Sequence, residues 1–135
     1  MVLTLEEKTR LCAETADSKK AEDIVVLDIQ PLSSVADHFL ICSGFSHRQV
    51  KAIADAIEEQ LIQHGEKPLA IEGYQEGSWI LMDCADLVIH IFDEESRQFY
   101  DLERLWGLAR RVTIPGVTAR APHALATDAL LVEEC

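Results

Sequence analysis

The chain has 135 residues, enough for one domain with a substantial core, since a chain near this size hides roughly two-thirds of its unfolded surface. Hydrophobic content of 48% and charged content of 27% are ordinary for a globular protein, and no apolar run reaches membrane-spanning length, so a membrane protein is not expected. The net charge of −12 argues against independent nucleic-acid binding, because an acidic domain repels phosphate backbones.

The acidity is local. Residues 1–20 carry four acids and four bases, and residues 107–135 carry three of each, so the excess, 17 acids against 5 bases, lies in 21–106. It suits a basic partner; the plainer reading is that it serves solubility. The opening MVLTLEEKTR is acidic early and has neither a basic-then-apolar pattern nor Arg-richness, so a cytoplasmic location is the expectation. Cys12, Cys42, Cys84 and Cys135 are scattered, as free thiols of a reducing compartment are, and not as disulfide or zinc frameworks.

In chain order, Thr4 and Glu7 have capping-box spacing and open a helix to about Lys20, with Leu11, Ala13 and Ala16 on its apolar face. Ile24–Asp28 reads as a buried strand and His38–Cys42 as its antiparallel neighbour. Ser46 and Gln49 form a second capping box before Val50, Ile53, Ala54, Ile57 and Leu61, one apolar stripe ending near His64-Gly65. Leu69–Glu72 is a short strand, followed by a turn-rich loop from Gly73 to Gly77.

Trp79–Asp83 and Leu87–Phe92 are nearly continuously apolar strands, which predicts central positions covered on both faces. A helix from Glu94 to Trp106 then puts Phe99, Leu102 and Trp106 on one face and leaves Tyr100 off it, the better placed of the two neighbours for exposure. The sum is a mixed α/β (α+β-like) fold, a five-stranded sheet flanked by helices in the order α-β-β-α-β-β-β-α. The segment 107–135 is a C-terminal extension, either flexible or carrying a docked helix over Leu125–Leu131.

Each chemical pattern has a plainer explanation beside it. Ser43-Gly44-Phe45-Ser46 precedes a helix and could hold an anion, but one glycine is no phosphate fingerprint and capping by Ser46 suffices. Asp83 and Asp86 could share a magnesium ion for nucleotidyl transfer; a D-x-x-D across a turn fits turn-forming or partner-facing acids better. His90, between Val88 and Phe92 on one strand face, reads as a satisfied core histidine before a catalytic base. Trp79 is either an ordinary core residue or an exposed anchor of the kind that dominates interfaces. Arg97 and Arg104 either reach a partner or pair with Glu94, Glu95, Asp101 and Glu103. No catalytic, cofactor-binding or metal-ligating set stands out.

The succession LDIQPLSSVADHFLICSGFSHRQVKAIADAIEE, then EG followed by GSWILMDCADLVIHIF, then ESRQFYDLERLW, resembles the ribosomal silencing factor family, also called Iojap-like, over about Ala21 to Trp106. The resemblance implies a nucleotidyltransferase-like fold without its catalytic residues, in a domain of residues 1–106. It implies binding to ribosomal protein L-fourteen on the large ribosomal subunit, which blocks joining of the small subunit and represses translation under nutrient limitation. By motif position it implies partner contact at Trp79, Tyr100 and Leu102, with Asp83, Asp86, Glu94, Arg97 and Arg104 as further candidates. Cys84-Ala85 and His38 depart from the family's commoner residues. A magnesium-dependent nucleotidyltransferase-like enzyme is the alternative, and a homodimer of the free protein a third reading.

Overall fold

A computed structural model describes residues 3–117. Helix α1 (Leu5–Ser18) starts as its sequence predicts: Thr4 accepts from the Glu7 N–H, and the Glu7 carboxylate accepts from the Thr4 N–H. Strands β1 (Glu22–Asp28) and β2 (His38–Gly44) pair antiparallel, with a bulge between Glu22 and Val25 where Asp23 takes a positive φ. Helix α2 (His47–Gln63) is capped by Ser46, but the reciprocal bond slips by one residue: the Gln49 side chain accepts from the Phe45 N–H. The Gln49 amide also donates to the carbonyl of Lys20, tying the start of α2 to the end of α1.

Strands β3 (Ala70–Glu72), β4 (Trp79–Asp83) and β5 (Leu87–Asp93) form an antiparallel meander. It joins the β1–β2 hairpin through the parallel pairing of β2 with β5. Helices α3 (Glu94–Tyr100) and α4 (Leu102–Leu105) follow, and β6 (Arg110–Val112) adds to the outer edge of β1. The sheet therefore has six strands in the order β3-β4-β5-β2-β1-β6, one more than expected. The sixth is only three residues long and shows no period in sequence, so Trp106 does not mark the edge of the sheet. Ile114 and Val117 continue onto the main core; the expected helix over Leu125–Leu131 lies outside the described residues.

The two faces of the sheet are covered unequally. Helices α1 and α2 lie over one, where Ile53, Ile57, Leu61, Leu40, Ile89 and Ile91 are fully buried. Each such side chain contributes about 1.5–3 kcal/mol through removal from water. Lys8 pins α1 to the β4–β5 turn: its ammonium donates to the Cys84 carbonyl and to Asp86, and pairs with Glu66. Burial lowers the Lys8 pKa, but the bonds and charges of Asp86 and Glu66 outweigh it and hold the pKa above its ordinary value. Cys12, Cys42 and Cys84 are buried free thiols. The other face is covered only in part, by α3 and α4, over Phe39, Ile41, Val88 and Phe92. No helix among the described residues is long and apolar enough to cross a membrane.

Candidate protein-docking face

Strand β4 shows what the thinner cover leaves open. Ile80 and Met82 point to the helix-covered face and are buried, while Trp79, Leu81 and Asp83 alternate with them onto the other face and are half-exposed. The expected burial of β4 on both sides is thus corrected: its apolar run has one covered face and one open one. Across the ladder, Trp79 lies opposite Phe92 and Leu81 opposite His90.

The Gly73–Gly77 loop holds β4 in place at its start. Gly73 has φ +81°, and a Cβ there would sit 2.1 Å from the Trp79 carbonyl oxygen, so only glycine fits. A Cβ on Gly77 would meet His47 at 3.1 Å. The backbone of Asp93 donates to the Ser78 carbonyl, which fixes the loop against the end of β5. The Asp93 carboxylate caps α3 by accepting from the Ser96 N–H, and also meets the His47 ring. Partial burial raises its pKa, but the bonds from Ser96 and His47 outweigh that and hold it below the ordinary value.

The helix expected over Glu94–Trp106 breaks at Asp101, which adopts a left-handed conformation with φ 50° and ψ 52°. The reason is internal. In an unbroken helix Arg97 and Glu103 would stand about 9 Å apart along the axis on different faces. The break brings the Arg97 Nε to 3.0 Å from the Glu103 carboxylate. Arg97 also donates to the Ser43 hydroxyl and to the Glu22 and Asp23 carbonyls at the bulge of β1. At 2% exposure, Arg97 is withdrawn from the surface and is not available to a partner, contrary to the family-based expectation.

The break also rearranges the aromatic residues. Leu102 and Trp106 turn in against the sheet, where Trp106 meets Phe39 edge-on at 5.3 Å between ring centres. Phe99 does not share their face; it is 79% exposed, against 47% for Tyr100, which reverses the expected order of the two. Tyr100 instead lies on Trp79, with ring centres 4.6 Å apart, and Trp79 stacks on Phe92 at 5.1 Å. Trp79, Tyr100 and Leu102 thus belong to one surface, with Leu81 and Phe99 beside it. The spacing of the sequence identified neither of these two as exposed, because each depends on how far α3 and α4 extend over the sheet.

The remaining sequence candidates are dispersed. Asp83 is half-buried and accepts from the Ala85 N–H, the bond of a turn former, with Ala85 at φ 72°. Asp86 is drawn toward α1 by Lys8 at 2.7 Å. The two acids proposed for a shared magnesium ion are thus engaged separately. Glu94 accepts from Ser43 and Gln98. Arg104 is exposed beside Phe99, Tyr100 and Leu105 around a shallow depression. Among the described residues no group of three His, Cys, Asp or Glu could hold a metal ion.

His90 is buried on this same face and only half satisfied. Its Nδ1 lies 3.2 Å from the Trp79 indole nitrogen, and its Nε2 has no hydrogen-bond partner among the described residues. Burial pushes its pKa down to about 4, so the ring is neutral at physiological pH. Burial lowers the His38 pKa as well, and its Nδ1 is 3.0 Å from the Thr9 hydroxyl.

Comparison with known proteins agrees with the earlier resemblance. The family model described as "Ribosomal silencing factor during starvation" matches residues 2–130. The ribosomal silencing factor of Bacillus subtilis is 45% identical over 98 residues, covering 73% of this chain and 83% of that one. The chloroplastic protein Iojap of Zea mays is 36% identical over 111 residues, covering 80% of this chain and 47% of that longer protein. A crystal structure of a Chromobacterium violaceum protein superposes with a TM-score of 0.77 at 32% identity, covering 89% of this chain and 98% of the other. On a family match spanning nearly its whole length, this chain belongs to the ribosomal silencing factor family.

Proposed function

We propose that this chain binds the large ribosomal subunit through ribosomal protein L-fourteen, using the face around Trp79, Tyr100 and Leu102, and so blocks association with the small subunit. Translation would be repressed in this way when nutrients are short. The observation that carries the reading is the open sheet face: half-exposed Trp79 and Leu81, and exposed Phe99 and Tyr100, on a domain whose excess charge is negative. Aromatic anchors in a desolvated centre supply affinity, while surrounding acids steer the encounter with a basic protein. The name of the Bacillus subtilis relative supports a ribosomal setting.

Mechanism on this reading is steric and needs no covalent step. The domain occupies surface that the small subunit requires. Glu72 lies opposite Leu81 in the ladder, and Asp83 and Asp101 also border the aromatic face. Their long-range pull weakens with salt, since screening shortens to about 8 Å at physiological ionic strength. Phe99, almost bare in the free molecule, also favours self-pairing as a reservoir state, which light scattering across a concentration series measures.

Co-sedimentation with isolated large subunits, small subunits and intact ribosomes tests the proposal. Selective binding to large subunits, with fewer joined ribosomes on mixing, is the expected result. No binding at micromolar protein would sink it. Thermal melting with nucleotide and magnesium then addresses the enzyme alternative, because a ligand of the folded state must raise the melting temperature.

A further inference from the structure

We propose that His90 is a positioning residue for the docking face: it takes the only polar hydrogen of the Trp79 side chain inward, so that the indole meets a partner with hydrocarbon alone. This rests on the proposed role of Trp79 and adds a residue that neither motif nor exposure selects.

The argument begins with the proton count. An indole nitrogen donates and cannot accept, so the His90 Nδ1 at 3.2 Å must be the unprotonated acceptor. A neutral imidazole then carries its hydrogen on Nε2, which is buried and without a hydrogen-bond partner among the described residues. Phe39 meets the His90 ring edge-on, with centres 4.8 Å apart. An apolar side chain here would avoid the unpaired nitrogen, yet the position holds a histidine at 4% exposure. An unsatisfied buried group is costly, so its presence calls for a gain elsewhere on the ring.

The gain is the orientation of Trp79. Phe92 stacks on the indole at 5.1 Å and Tyr100 lies over it at 4.6 Å, but neither contact decides which edge of the ring turns inward, since a half-turn about Cβ–Cγ exchanges the edges and keeps the plane. The directional bond to Nδ1 does. It holds the indole nitrogen toward the sheet and leaves no donor on the exposed part of the ring. The surface thereby excludes partners that would meet Trp79 with a hydrogen-bond acceptor and favours apolar stems or cations over the ring.

Two measurements test this. Long-range proton–nitrogen correlation spectra of labelled wild-type protein read the tautomer directly. The expected result is a bare Nδ1 and a protonated Nε2; a protonated Nδ1 would overturn the proposal whatever the ribosome assay gives. Co-sedimentation with large subunits then compares H90F with H90N. H90F keeps an aromatic ring without an acceptor, and should bind about tenfold more weakly, the worth of one hydrogen bond. H90N places an amide oxygen where Nδ1 was and should recover to within about threefold of wild type.

Equal binding of H90F and wild type overturns the proposal. Should H90F fail to fold, H90Q replaces it, since its acceptor reaches toward the Nε2 position; equal affinities of H90Q and H90N would then overturn it. A wild type that binds no large subunits ends the functional reading, and the tautomer still judges the His90–Trp79 bond by itself.

Discussion

The two faces of the sheet are built from different materials. Beneath α1 and α2 the core is aliphatic: isoleucine, leucine, valine, alanine, methionine and cysteine, with no aromatic residue among its buried members. The opposite face uses Phe39, Phe92, Trp79 and Trp106, together with Tyr100. Small branched residues interlock where two long helices provide continuous cover. Large rings span the gaps where only two short helices do, and they keep surface exposed. One face serves stability; the other combines partial stability with the recognition proposed for it.

That division can be broken from either side. The largest effect falls on the strap that fixes α3 and α4: Arg97→Met removes the 3.0 Å partner of the buried Glu103, leaving it the longer 3.7 Å pair with Arg111, and should cost about 3 kcal/mol in urea unfolding. Arg97→Met combined with Glu103→Leu should recover part of that loss by removing the buried charge, while the Glu22 and Asp23 carbonyls still lack their Arg97 donor. On the covered face, Ile57→Ala should cost about 2–5 kcal/mol by opening a cavity.

Acid sharpens the contrast at His90. The unfolded ring takes up a proton near pH 6.5, whereas the folded ring resists until about pH 4. Stability is therefore full above pH 6.5 and lost as pH falls toward 4, by up to about 3 kcal/mol. Denaturant melts at several pH values check this slope, which should shrink in His90→Phe. Trp79→Ala should cost at least about 2 kcal/mol of large-subunit affinity. A change within assay noise would remove Trp79 from the docking face. Smallest is Leu81→Ala, expected to cost less than about 1 kcal/mol of stability because the side chain is already half in water.

Local chemistry was legible in sequence wherever it alone decides the structure. Thr4, Glu7 and Ser46 announce their helices, and the stripe from Val50 to Leu61 buries as its spacing requires. The failures share one cause. The bend at Asp101, the burial of Arg97 and the exposure of Phe99 all follow from Arg97 reaching the carbonyls of Glu22 and Asp23, contacts between residues more than seventy positions apart. Likewise, the unbroken apolar run of β4 resembles a two-sided core strand, since nothing in those five residues records that α3 and α4 stop short of it. The same run supplies the half-exposed Trp79 and Leu81 of the proposed docking face.

The parallel seam between β2 and β5 has a consequence for the order of assembly. The β1–β2 hairpin and the β3–β4–β5 meander each close over short stretches of chain, but the seam pairs His38 with Leu87 and requires closure of a long loop. Phe39 lies on one side of that seam, and His90 and Trp79 on the other. The aromatic face is thus a product of a long-range pairing. A chain emerging from synthesis has no complete aromatic face until its two halves meet, so the docking proposed for that face requires the folded domain.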